Sequence, residues 1–460
     1  MKKYDILVLG NGSAGTIVEN ALMNGKNVAL VDNGPLGGTC LNYGCIPSKM
    51  LIYPADRIME IRESEKLGIK SKIENIDFQN IMNRMKKVIK ESHEHMKGIN
   101  QVEGLDYYDS EGHFVDDYTF EVDNEKISGE KIFIGTGARP LIPPIKGIED
   151  IPYLTNETIL DLNEKPESII IVGGGYVAVE YAHFLEAMGT KVIILQRSNR
   201  LIKNSEPEIS KLLEKKLKER MKVFTNTDVS EVKKENGKIV AVGTNTETDK
   251  KEEYKADKIM IAAGRKSNAD ILKVENTGDE TDKRGYIKVN DYLETSKENI
   301  WALGDATGRA MFKHVANEEA YIAWNNAFNK ENKVSLEYDK IPYAVFSYPQ
   351  IAAVGLTEKQ ARKDHKILTG TAKYTDVTKG EAMVEKDGFT KAIIDKETKK
   401  ILGFHIIGPY AAILIQEVIN AMSLGSEIGY IARGMHIHPA LPELVLNTFG
   451  NIREEWISLF

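Results

Sequence analysis

The chain has 460 residues, 42% of them hydrophobic and 28% charged, with a formal net charge of −7. That length suggests two to four domains. The acidic balance argues against broad nucleic-acid binding, which needs a basic surface. No run of about 18 apolar residues is present, so no membrane span is expected.

The chain opens MKKYDILVLG, which reads as a buried strand and not as a secretory signal. The expected compartment is the cytoplasm. Tyr4 to Leu9 is a short apolar run that enters Gly10-Asn11-Gly12-Ser13-Ala14-Gly15. A helical pattern follows, then a second apolar run, Val28 to Val31, ending at Asp32. The order is strand, glycine turn, helix, strand. The first glycine permits a tight turn, the second lets backbone approach a pyrophosphate, and the third lets helix and strand pack closely. Asp32 is placed to receive ribose hydroxyls.

Two cysteines follow, Cys40 and Cys45, the only two in the chain. A secreted disulfide scaffold would carry more. A zinc site would have to recruit other residue types. The pair favours redox work over a structural disulfide or inert thiols. In a regular helix cysteines five apart lie on different faces and too far apart to bridge. Gly44 permits the irregular backbone that would close the gap. A helix N-terminus or a neighbouring base would lower the thiol pKa.

A helical stretch of mixed charge is expected from about Pro54 to Gly98, then short strands over Phe114 to Val122 and Lys131 to Ile134. Arg139-Pro140-Leu141-Ile142-Pro143-Pro144 reads as a rigid, extended hinge. The first pattern then restarts: a β-rich run from Ser168 to Val172 leads into Gly173-Gly174-Gly175-Tyr176-Val177-Ala178. The second unit matches the turn at Gly173, Gly175 and Ala178. Two such units imply two dinucleotides, one of them a flavin. The next strand, Lys191 to Leu195, lacks an acid at its end. Gln196 stands there, followed by Arg197, Arg200 and Lys203. A 2′-phosphate would be repelled by a carboxylate and held by cations, so NADP(H) is favoured over NAD(H). The competing reading is a solvated basic loop. From about Ile341, strands near Ala392 to Ile394 and Ile401 to Ile407 and an apolar helix, Ala411 to Met422, suggest a separate α+β domain.

Gly37-Gly38-Thr39-Cys40-Leu41-Asn42-Tyr43-Gly44-Cys45-Ile46-Pro47-Ser48-Lys49 resembles the redox motif of the class I pyridine nucleotide-disulfide oxidoreductases. The resemblance extends along essentially the whole chain, through Ile134 to Pro140, Gly264-Arg265, Ile300 to Asp305 and His436 to Glu443. It implies an α/β fold of two Rossmann-like dinucleotide-binding domains and a C-terminal α+β dimerisation domain. The boundaries would be 1–147 and 267–338 for FAD, 148–266 for NAD(P) and 339–460 for the interface. It implies that Cys40 attacks a small-molecule disulfide, that Cys45 lies beside the flavin, and that Lys49 pairs with Glu180. It also implies that His438, oriented by Glu443, serves as acid–base from the partner subunit of a homodimer. His436 would be supporting structure. FAD contacts are implied for Gly10, Gly12, Ser13, Gly15, Asp32, Gly38, Thr39, Lys49, His113, Phe114, Thr136, Gly137, Asp305 and Met311. Nicotinamide-nucleotide contacts are implied for Gly173, Gly175, Tyr176, Val177, Gln196, Arg197, Arg200, Lys203, Val229 and Gly264.

Within that family, the tail from Asn451 to Phe460 carries no cysteine. That argues against a metal-handling or protein-disulfide relay. Lys313-His314-Val315-Ala316-Asn317 and Ala182-His183 resemble the mycothione reductase branch, and dihydrolipoamide dehydrogenase is the alternative. Gly135 and Ser267 depart from the family pattern, which has alanine and proline more often at these places.

Overall fold

The computed structural model describes residues 1–452; the last eight positions of the tail, 453–460, lie outside the described residues. Strand β1 (Lys2–Leu9) is central, and Ile6 to Leu9 are all buried. That continuous apolar run fits a parallel strand covered on both faces. The glycine turn leads into α1 (Gly15–Met23) and back to β2 (Val28–Asp32), which pairs parallel with β1. Two helices follow, α2 (Gly38–Asn42) and α3 (Cys45–Arg62), then α4 (Phe78–His95).

The helical stretch expected from Pro54 to Gly98 is interrupted. Gly68 adopts a left-handed conformation with φ +80°, which ends a short 3-10 turn. Asp77 then caps α4 by accepting the backbone N–H of Asn80 at 2.9 Å. Strands β3 (Leu105–Asp109), β4 (Gly112–Asp116), β5 (Thr119–Val122) and β6 (Glu125–Ile134) complete a sheet of order β3-β2-β1-β6-β5-β4.

The expected hinge is itself paired. Strand β7 (Ala138–Pro140) runs antiparallel to a later strand, Arg265–Ser267, where the chain returns to the first unit. Between these crossings lies the second unit: β8 (Ser168–Val172), α5 (Tyr176–Ala187), β9 (Lys191–Leu195), α6 (Pro207–Lys218) and β10 (Lys222–Phe224). In α6, Ile209, Leu213 and Leu217 recur every four residues, and all three are buried. A three-stranded antiparallel sheet, Thr227–Glu235, Lys238–Asn245 and Lys251–Ala256, covers this unit. The returning chain adds Ile300–Ala302 to the first sheet beside β6, then forms the helix Lys313–Phe328. Residues beyond it build a five-stranded antiparallel sheet and pack it against Ala411–Ser423 and Pro442–Gly450. No helix among the described residues is long and apolar enough to cross a membrane.

Candidate active site

The two cysteines sit on either side of a break between α2 and α3. Gly44 makes that break with φ −129° and ψ −112°. A Cβ there would stand 2.9 Å from the carbonyl oxygen of Thr39, so only glycine lets α2 and α3 meet so closely. Cys45 becomes the first residue of an 18-residue helix. Both thiols are free and open onto one crevice of about 670 Å³. That volume is in the range of cofactor sites. The Cys40 thiol is pushed down to about 6, first by hydrogen bonding from Cys45. Burial opposes the effect, and the charges of Lys313 and Lys49 add to it. The same sharing, with burial, pushes Cys45 up. The pair therefore loses one proton readily and holds the other, which leaves a thiolate on Cys40.

Asn42, between the cysteines, is buried. Its amide nitrogen lies 3.0, 3.0 and 2.9 Å from the carbonyl oxygens of Pro35, Leu36 and Gly38. His93 from α4 reaches its Oδ1 at 2.6 Å. This amide ties the glycine segment to the cysteine helix. On α3, one turn after Cys45, Lys49 Nζ meets Glu180 Oε2 of α5 at 2.7 Å, as expected. Glu180 Oε1 also accepts the backbone N–H of Phe346 at 3.0 Å. The same two helices are joined again by His183. Its Nε2 lies 2.9 Å from Asp56 Oδ1, and its Nδ1 lies 3.2 Å from Arg220. An arginine only donates, so Nδ1 accepts and the buried imidazole is neutral with its proton on Nε2. Burial is also the main reason that its pKa is lowered. Tyr176 covers the same mouth, its ring 5.6 Å from Phe312 and 5.9 Å from Tyr343.

The far half of the crevice has the features of a dinucleotide cradle. Gly10 has φ +95°, and a Cβ there would lie 2.5 Å from the carbonyl oxygen of Gly135. A Cβ on Gly12 would meet nothing within 4 Å, so this turn presents bare backbone to open space. Asp32 accepts the backbone N–H groups of Asn11 and Gly34, while burial raises its pKa. The buried hydroxyl oxygen of Thr136, on the crevice wall, has no hydrogen-bond partner among the described residues. Asp305 pairs with Arg265 Nε at 3.1 Å, and burial raises its carboxyl. An orphaned hydroxyl, an unfilled glycine turn and a half-buried carboxylate fit a ligand with phosphate and several hydroxyls. Ser13, Gly38, Thr39, Gly137, Met311 and Val177 also line the crevice.

Other expected contacts are placed elsewhere. Gly15 is not on the crevice wall; it begins α1 and packs beside Asn11. Phe114 is fully buried, edge-on to Phe120, and Val229 lies in the core of the second unit. His113 does not line the crevice; Gly112 and Phe120 from the same hairpin do. Arg265, Phe312 and Lys313 line it without having been expected to. At Ser267 the hydroxyl donates to the carbonyl of Ala306 at 3.0 Å and accepts from the N–H of Ala269 at 3.2 Å. A hydroxyl thus ties this corner together.

In the second unit Gly173, with φ +129°, repeats the turn of Gly10, and a Cβ on Gly175 would again meet nothing within 4 Å. Gly264 follows the strand Lys258–Ile261, which lies beside β8. Gln196 bonds the Ser198 hydroxyl, and Arg200 donates to the carbonyl of Lys203. Arg197 and Lys203 are exposed. None of Arg197, Arg200 and Lys203 makes an ion pair among the described residues. In the C-terminal unit, His438 Nδ1 meets Glu443 Oε1 at 2.8 Å, and Glu443 Oε2 accepts the N–H of Ala440. The contact with His438 holds the Glu443 carboxyl below its ordinary value. His438 does not line the crevice of its own chain, and 71% of its side chain is exposed. His436 is buried against Glu417 at 2.7 Å, a structural contact.

Comparison with known proteins gives the same picture along the whole chain. Residues 4–320 match the pyridine nucleotide-disulphide oxidoreductase model, and residues 341–448 match the dimerisation domain of the same family. The mycothione reductase of Mycobacterium tuberculosis is 33% identical over 98% of this chain and all of its own length. The dihydrolipoyl dehydrogenase of Bacillus subtilis is 30% identical over 96% of each chain. The structure of the HOCl-induced flavoprotein disulfide reductase RclA from Escherichia coli superposes with a TM-score of 0.86, at 28% identity, over 98% of this chain and all of that one. The chain belongs to the pyridine nucleotide-disulphide oxidoreductases and is an enzyme of the flavoprotein disulfide reductase type.

Proposed function

We propose that this enzyme reduces a small-molecule disulfide with NADPH, through FAD held in the crevice and the Cys40–Cys45 pair. The observation that carries this reading is the proton-sharing thiol pair opening onto the glycine-lined cradle. FAD, when bound, passes electron pairs from the nicotinamide to the two sulfurs. Residues 1–147 and 267–338 form its domain, 148–266 the nucleotide domain and 339–460 the dimer interface. Gly10, Gly12 and Ser13 would hold its pyrophosphate, Asp32 its ribose hydroxyls and Asp305 its ribityl hydroxyls.

The thiol chemistry follows from the pair's protonation. The Cys40 thiolate attacks one substrate sulfur, forms a mixed disulfide and expels the first thiolate. His438 of the partner subunit gives that thiolate its proton, with the carboxylate of Glu443 fixing the imidazole tautomer. Cys45, once deprotonated, attacks the Cys40 sulfur. The second substrate thiolate leaves and takes up the proton that Cys45 gave up, and Cys40 and Cys45 are joined and oxidised by two electrons. The Lys49–Glu180 pair would keep a cation close to the bound flavin, one turn along α3 from Cys45.

Preference for NADPH rests on the contrast between the two units. The first ends its second strand with Asp32; the second ends with Gln196 and three cations that have no carboxylate partner among the described residues. Stopped-flow reduction by each nucleotide tests it. Faster reduction and tighter binding with NADPH are expected, and a clear NADH preference would overturn it. A second reading, an NAD-dependent dihydrolipoamide dehydrogenase, draws on the full-length match to the Bacillus subtilis enzyme. Rapid reduction of NAD by dihydrolipoamide would promote it.

A further inference from the structure

Four lysine or arginine side chains line the crevice: Lys49, Arg139, Arg265 and Lys313. Three are neutralised. Lys49 pairs with Glu180 at 2.7 Å, Arg139 with Asp270 at 2.7 Å and Arg265 with Asp305 at 3.1 Å. Lys313 has no carboxylate partner among the described residues. Its ammonium instead donates to the Ser13 hydroxyl at 2.9 Å. Ser13 sits inside the first glycine turn, 300 positions away in sequence. The Ser13 hydroxyl proton is committed elsewhere, to Asn317 Oδ1 at 2.9 Å. The ammonium therefore approaches the serine's lone pair, and two of its three N–H donors are left over.

Lys313 is also the first residue of a 16-residue helix, whose N-terminal end adds positive potential. Across from it, Gly12 leaves open space over bare backbone. A pyrophosphate set in that turn brings two negative charges to a crevice whose other lysine and arginine cations are already paired. Helix α1 offers backbone N–H groups there but no full charge.

We infer that Lys313, held by Ser13 and Asn317, is the counter-ion for the pyrophosphate of the bound dinucleotide and so determines how tightly the flavin is retained. This rests on the reading that the crevice takes FAD. It does not depend on which nicotinamide or disulfide the enzyme uses. Lys313 comes from the returning segment, 300 positions later in the chain, so the charge arrives only when the first unit is fully assembled.

The test uses purified full-length holoenzyme as wild type, Lys313→Met and Lys313→Arg, dialysed to equilibrium against buffers of rising sodium chloride concentration. Free and bound FAD are read by flavin fluorescence, and folding is checked by thermal melting. A charge-assisted contact of this kind predicts FAD binding about 10- to 100-fold weaker in Lys313→Met, with arginine recovering most of it. The wild-type affinity should fall with salt more steeply than that of the methionine variant, because screening removes what the variant already lacks. Wild-type FAD affinity and salt dependence in Lys313→Met would overturn the inference. So would a loss equal in the arginine and methionine variants, which would show shape and not charge to matter. A wild-type protein that purifies without flavin and takes none up would overturn the reading of the crevice itself.

Discussion

Cys40 and Cys45 hold one proton between them because Gly44 lets α2 and α3 approach until the two thiols can share it. The consequence is measurable in the reduced protein. Cys40 is pushed down to about 6, so its alkylation by iodoacetamide should reach half its maximal rate near that pH. One unit lower, the rate should be about one-tenth of its maximum, since only the thiolate reacts. Replacing Cys45 with alanine removes the largest cause of the depression. In that variant the inflection should move up toward the ordinary thiol range. An unmoved inflection would show that Lys313 and Lys49, and not the neighbouring thiol, hold the charge. The Glu443 carboxyl behaves in the usual acid sense: depressed by His438, it stays charged until the pH falls through its lowered value, and its hold on the imidazole is lost below that.

At the scale of elements, packing explains one departure from the family pattern. Gly135 closes β6 against the first glycine turn, and a Cβ there would stand 2.6 Å from the Cβ of Ala14. Alanine at 135 is therefore excluded by alanine at 14. Gly135→Ala should destabilise the protein by about 1–3 kcal/mol, the usual range for overpacking a tight core. Ala14→Gly in the same chain should recover most of that loss, which a double-mutant cycle in urea would measure. Equal and additive losses would place the strain elsewhere. The two glycine turns and the cysteine segment were legible in the sequence because they are local. Each needs only a strand before it, a helix after it and a few glycines. The Lys49–Glu180 and His438–Glu443 pairs were legible only through the family resemblance. The burial of Phe114 and Val229 was not legible, because which face a strand residue takes depends on pairing register. The reach of Lys313 to Ser13 was not legible either, since it joins residues 300 positions apart.

At the scale of the whole molecule, the proposed acid–base pair poses a problem that one chain does not solve. His438 is held by Glu443, yet it does not line the crevice that its own Cys40 lines. Apolar side chains of the same domain are exposed as well: Met435 is 99% exposed, Ile437 77% and Leu424 67%. Apolar side chains so placed, in the domain that matches the family's dimerisation model, are what a second copy would cover. In a two-fold dimer the same patch meets itself, so each chain would lend its histidine to the other's thiols. Two inactive variants can then complement each other. Cys40→Ser lacks the nucleophile and His438→Gln lacks the proton donor, so both homodimers should turn over poorly. A mixed dimer, isolated through two different affinity tags, holds one site with both defects and one with neither. It should therefore recover about half the wild-type rate per dimer. If the histidine served its own chain, each site in the mixed dimer would still lack one group, and the rate would stay at the level of the parents.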